Sequence, residues 1–244
     1  MGKTEEYRAA ILAQPDLRQY LLDNSNLPGP RGNLELAHVA AAAAPSSLLV
    51  EWSNLNAAAA PINTPVEFLT FCGVLGQGRL YLEGDALALE RIKKAASDSR
   101  WRTREGAATA LQIIGKNDMQ PLFIFLPVLA NGNPLEQRCA VAAICEPALL
   151  KEASAAQFAL ELLDKITHSF SRNPDRKSEG FIALKKGLGY GWSVAVAASL
   201  ESGKQMMEKW LQFDDKDIRW VMQENLKKNR LIRLEGAWVD KWGK

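Results

Sequence analysis

Thr64-Pro65-Val66-Glu67 and Asn133-Pro134-Leu135-Glu136 share one design. Each has a capping side chain, then a proline where a missing N–H costs nothing, then a glutamate placed to reach back to the cap. Such a tetrad can only begin a helix. Ser154 with Gln157, ahead of "FALELL", predicts a third start. Apolar residues then recur at threes and fours, as in Ala107, Leu111 and Ile114, and in Ile218, Val221, Met222 and Leu226. No stretch sustains alternation of period two, and no Asn-Gly or Asp-Gly pair sits between β-branched runs. The fold class predicted is all-α.

The helices recur. "SDSRWRTREGAATAL" (Ser97–Leu111) aligns with "DKDIRWVMQENLKKN" (Asp215–Asn229), setting Trp101 on Trp220, Arg100 on Arg219 and Glu105 on Glu224. Candidate starts at Asp98, Asn133, Ser178 and Asp214 lie 35, 45 and 36 residues apart, room for two helices each. With Asp98…Trp101-Arg102-Thr103-Arg104-Glu105 and Asp217-Ile218-Arg219-Trp220-Val221-Met222-Gln223-Glu224, the chain resembles the HEAT-repeat family of armadillo-type α-solenoids. The likeness is best from Leu87 to Leu231. It implies one right-handed solenoid domain of five or six helical pairs over residues 1–244. Residues 1–85, broken by "NSNLPGPRGN" and "AAAAPINTP", would be irregular capping helices. Residues 86–235 would hold the clearest repeats and 236–244 a tail.

Composition narrows the function classes. The chain has 244 residues, 47% hydrophobic and 24% charged, with a net charge of +2, which excludes a strongly cationic nucleic-acid protein but not a local basic patch. Cys72, Cys139 and Cys145 are too few for a disulfide framework and read as buried thiols of a reducing compartment. The charged N-terminus carries no signal-peptide pattern, and the longest apolar run, "MQPLFIFLPVLA", is shorter than the ~18 residues a span needs. The expectation is a cytoplasmic chain with no membrane partner.

Two glycine runs invite a phosphate-loop reading, "KKGLGYGWSVAV" and "GVLGQG". Neither follows a strand, and the second lacks the Lys-Ser/Thr of a P-loop. Gly191-Trp192-Ser193-Val194-Ala195 lacks the last glycine of a hydrolase elbow. The first run is instead expected to be a junction, with one helix ending near Leu184 and the next beginning at Trp192. No spacing of Cys and His suits zinc, and neither a cofactor nor a metal is expected.

Function is expected from a surface. A solenoid groove suits a non-enzymatic scaffold for a protein partner, lined by Arg104, Arg138, Lys186, Trp192, Arg219 and Lys228. The alternative is a nucleic-acid partner, through a weaker similarity to the HEAT-like alkylpurine DNA glycosylases. Those cradle duplex DNA with basic side chains and set tryptophans and one carboxylate at the lesion. Trp101 with Glu105, and Trp220 with Glu224, would put an indole and a carboxylate on one helical face. Glu105 and Glu224 would then be the catalytic candidates, with Arg100, Arg102, Arg104, Arg138, Lys185 and Lys186 on phosphates. Because this W-x-x-x-E pattern recurs, Trp101 and Trp220 are read first as inter-repeat core and the glutamates as partners of arginines. His38 is read as a core or surface histidine.

Overall fold

The computed structural model describes residues 2–243, and among them there are helices and no strands. Fourteen α-helices follow one another, more than five or six pairs would need. The excess comes from the first 64 residues, which proline and glycine divide into four helices of at most eleven residues: α1 (Lys3–Ala13), α2 (Leu17–Asp23), α3 (Leu34–Ala43) and α4 (Ser46–Ser53). Then come α5 (Pro65–Leu82), α6 (Ala88–Ala96), α7 (Trp101–Asn117), α8 (Gln120–Ala130) and α9 (Pro134–Ile144). After a 3-10 turn at Pro147–Leu149 the chain continues with α10 (Ala153–Ser171), α11 (Glu179–Ala198), α12 (Leu200–Leu211), α13 (Lys216–Leu226) and α14 (Asn229–Trp242). The last residues are therefore helical through Trp242, with a kink at Glu235.

The helix starts follow the local chemistry. Asn133 accepts from the N–H groups of Leu135 and Glu136, and Glu136 reaches back to the Asn133 N–H at 2.9 Å. Thr64 caps α5, but Glu67 overshoots it and accepts from the Asn63 N–H at 2.7 Å. The start predicted at Ser154 is displaced. Helix α10 begins at Ala153 without a side-chain cap, and Gln157 donates to Glu161 one turn on.

Two compact units divide within α7, Met1–Ile114 and Gly115–Lys244. In the first, α5 runs through the middle against α2, α3, α4 and α6, and every residue from Glu67 to Gly78 is buried. A helix buried on all sides needs neighbours on all sides, and "GVLGQG" supplies the room. A Cβ at Gly73 would lie 2.4 Å from the Ser53 nitrogen, and one at Gly78 would lie 2.6 Å from the Ala110 carbonyl oxygen.

In the second unit α11 has the same role, touching α9, α10, α12, α13 and α14. It is one continuous helix, so the junction expected inside "KKGLGYGWSVAV" does not exist. Glycine costs an isolated helix about 1 kcal/mol against alanine. Here it lets neighbours come close on two sides. Cβ atoms at Gly187 and Gly191 would meet α9, at Arg138 Cγ (3.3 Å) and Val141 Cγ1 (2.8 Å), and one at Gly189 would meet Trp220 of α13 at 3.0 Å. Helices α9, α11 and α13 lie side by side, as do α8, α10 and α12.

Candidate functional site

The segment Arg100-Trp101-Arg102-Thr103-Arg104 opens α7 with its polarity inverted. Arg100, Arg102 and Arg104 are 1%, 6% and 7% exposed, whereas Trp101 is 48% exposed. The arginines are structural. Arg100 grips Asp98 through Nε and Nη2 at 2.8 and 2.7 Å and donates to the carbonyls of Leu55 and Ala60, fixing the loop before α5. Burial pushes the Asp98 carboxyl up, but the Arg100 hydrogen bonds and charge outweigh it and hold the group below the usual carboxylate range. Arg104 donates to the Asp98 and Ser99 carbonyls and lines no open groove, contrary to expectation.

Arg102 does more. Its Nη1 donates to Glu67 Oε2 at 2.9 Å and its Nη2 to the Gly29 carbonyl at 2.9 Å. Gly29 in turn donates to Asn63 Oδ1 at 3.0 Å, and Asn63 holds a left-handed φ of 59° while its N–H reaches Glu67. Asparagine tolerates that conformation better than most residues. The closed circuit Arg102–Glu67–Asn63–Gly29 pins the "LPGPRG" loop beside α5 and α7.

That loop forms one wall of a 460 Å³ pocket within the first unit. Pro30, Arg31 and Gly32 stand on one side, Leu34 and His38 of α3 on another. Phe68 and Phe71 of α5 form the floor, and Trp101, Glu105 and Thr109, each four residues on, present one face of α7. The Arg102 guanidinium lies 4.7 Å from the Trp101 ring centroid. An apolar floor with a few polar groups at the rim is the usual build of a recognition pocket. Trp101 is thus not inter-repeat core, and His38 is an exposed residue of the pocket wall. The pocket draws on residues more than seventy positions apart, which no local spacing announces.

The second Trp–Glu pair sits in the other unit. Trp220 is 39% exposed, against the core role expected, with Lys185 Nζ 4.7 Å above its ring. Glu224 is bonded to Lys227 at 2.6 Å, which holds its carboxyl below the usual range. Lys185 also binds Asp217 at 2.8 Å, and Arg176 bridges Asp215 and Asp217. Of the other residues expected in a groove, Trp192 is wholly buried, donating its indole N–H to Thr167 Oγ1 at 3.0 Å, so it faces no groove. Arg219 is exposed and pairs with Asp214. The Arg138 stem packs at Gly187, Lys186 is exposed, and Lys228 Nζ lies 6.0 Å from the ring of Tyr190, one turn after Lys186.

All three cysteines are buried free thiols, and burial pushes Cys72 upward and Cys145 up to about 12. Among the described residues no three His, Cys, Asp or Glu side chains gather where they could hold a metal ion, and no helix is long and apolar enough to cross a membrane. Scans against protein-family models, curated proteins and solved structures return no match.

Proposed function

We propose that this chain is an interaction scaffold of stacked helical hairpins that captures a segment of a partner protein, with an apolar side chain of that segment anchored in the pocket at Trp101. The side-by-side rows α9–α11–α13 and α8–α10–α12 support a solenoid arrangement of the second unit. The observation that carries the functional reading is the half-exposed Trp101 over the Phe68–Phe71 floor. A large aromatic left partly in water is costly unless a partner covers it, and tryptophan anchors dominate interface energetics. The loop is held in place by the Arg102–Glu67 circuit, so little ordering entropy is lost on binding.

Base excision on duplex DNA is the weaker reading of α7. The arginines it would need on phosphates, Arg100, Arg102 and Arg104, are turned inward on carboxylates and carbonyls. Cytoplasmic residence suits three free thiols.

The test is selection of displayed random peptides on the full chain, followed by titration of the winners against Trp101→Ala. A common apolar anchor and a loss of about thirtyfold, the weight of a ~2 kcal/mol hot spot, support the reading. Winners that bind the variant equally well would overturn it.

A further inference from the structure

Basic charge is unevenly shared between the two units. The first holds 11 Lys and Arg against 12 Asp and Glu, the second 19 against 16. Within the second unit many cations are neutralised, as Arg176 is by Asp215 and Asp217. Around Tyr190 the arrangement differs. Tyr190 is 46% exposed on α11, and Arg230 of α14 stacks 4.6 Å from its centroid while donating to its hydroxyl at 2.6 Å. Lys228 approaches the same ring, and Lys186 is exposed one turn earlier on α11. None of Lys186, Lys228 and Arg230 forms an ion pair among the described residues, although the charge of Lys228 reaches Glu224, whose own ion pair is with Lys227. A cation held by an aromatic ring is positioned without being neutralised.

Two further features extend this surface. Arg230 is also on the rim of a 320 Å³ cavity lined by Pro147, Leu150 and Val194, where the second charged residue is Lys151 and no carboxylate is present. At Gly189, the residue before Tyr190 on α11, Trp220 of α13 lies against the helix, its ring half-exposed under Lys185. The spacing of the two aromatics is fixed by Asn225, buried between their helices. Its side chain donates to the Leu188 carbonyl at 2.8 Å and accepts from the Ser193 N–H at 2.7 Å.

We propose that the second unit binds single-stranded nucleic acid, with Tyr190 and Trp220 as stacking platforms and Lys151, Lys186, Lys228 and Arg230 on the phosphates. Cations outside any ion pair, set beside exposed rings, fit a partner that is both polyanionic and rich in open π-faces. A duplex keeps its bases stacked inside and would leave the rings unused. An acidic peptide would satisfy the cations alone. The inference concerns a different unit from the Trp101 pocket and does not rest on it.

The experiment is fluorescence anisotropy of labelled oligo(dT) and oligo(U) of about 20 nucleotides, titrated with the full chain at about 50 and 200 mM salt. Four phosphate contacts predict a weakening of roughly fiftyfold across that range for a single strand. Tyr190→Ala should cost roughly tenfold at either salt, while Tyr190→Phe, which keeps the ring and loses only the hydroxyl that accepts from Arg230, should cost clearly less. Arg230→Met should flatten the salt dependence by about one contact. Tighter binding of a duplex of the same length, equal competition by a polyglutamate peptide, or a Tyr190→Ala variant that binds unchanged would each overturn the proposal.

Discussion

Arg102 of α7 and Glu67 of α5 form an ion pair at 2.9 Å, with the carboxylate fully out of water and the guanidinium nearly so. Two charges are removed from solvent to join residues 35 apart in sequence. The pair is worthwhile because each partner has further bonds, to Gly29 on one side and Asn63 on the other. It explains the inverted polarity at the start of α7: Arg102 turns inward to Glu67 while Trp101 is left on the pocket wall.

Arg102→Met should therefore destabilise the first unit by about 3–5 kcal/mol, because it strands a buried carboxylate. The double variant with Glu67→Leu should recover much of that loss. Urea denaturation of the three proteins decides the matter, and a single-variant cost below ~1 kcal/mol would show the pair to be dispensable.

Alanine at the glycines of α5 and α11 should rank by what the new methyl meets. Gly73→Ala, facing backbone at 2.4 Å, should cost most; Gly191→Ala, facing Val141 and Cys145, should cost about 1–3 kcal/mol from overpacking. Gly187→Ala meets the flexible Arg138 stem at 3.3 Å and should be neutral or stabilising by up to ~1 kcal/mol. Thermal melts of the series that came out in another order would count against the close approach of α11 to α9.

Acid should weaken the Arg176 cluster. Burial raises Asp215 and Asp217, but the hydrogen bonds of Arg176, joined at Asp217 by those of Lys185, outweigh it and leave both carboxyls below their usual range. A folded value below the unfolded one, about 3.9, stabilises the fold above that pH, and the gain is lost as pH falls through the folded value. Arg176→Gln should lower Tm at neutral pH, with the gap from the wild type closing as pH drops below ~4. A gap that stays constant down to pH ~3 contradicts this account.

Thiol reagents should find nothing in the native protein. Cys72, Cys139 and Cys145 are buried, and the upward shifts of Cys72 and Cys145 keep those two as unreactive thiols. Ellman's reagent should label none within minutes under native conditions and all three in denaturant; rapid native labelling of any one would show that its helix opens.

The sequence by itself determined what is local. The caps at Asn133 and Ser178 lie where α9 and α11 begin, because a capping bond spans only two or three residues and is written in neighbouring letters. The buried series Ile218, Val221, Met222 and Leu226 was legible for the same reason, since one helical turn brings those positions together. Only the tertiary structure decided which side of such a helix would be wet. Arg104 and Trp192 carry the chemistry of surface recognition yet lie buried, while Trp101 and Trp220 look like core and stand half in water. The glycines of α11 read as a break, and became a helix once Val141 and Trp220 packed against them. For those glycines the deciding contact comes from a residue more than thirty positions away. Its energy outweighs local propensity, and its identity is not recorded in the neighbouring sequence.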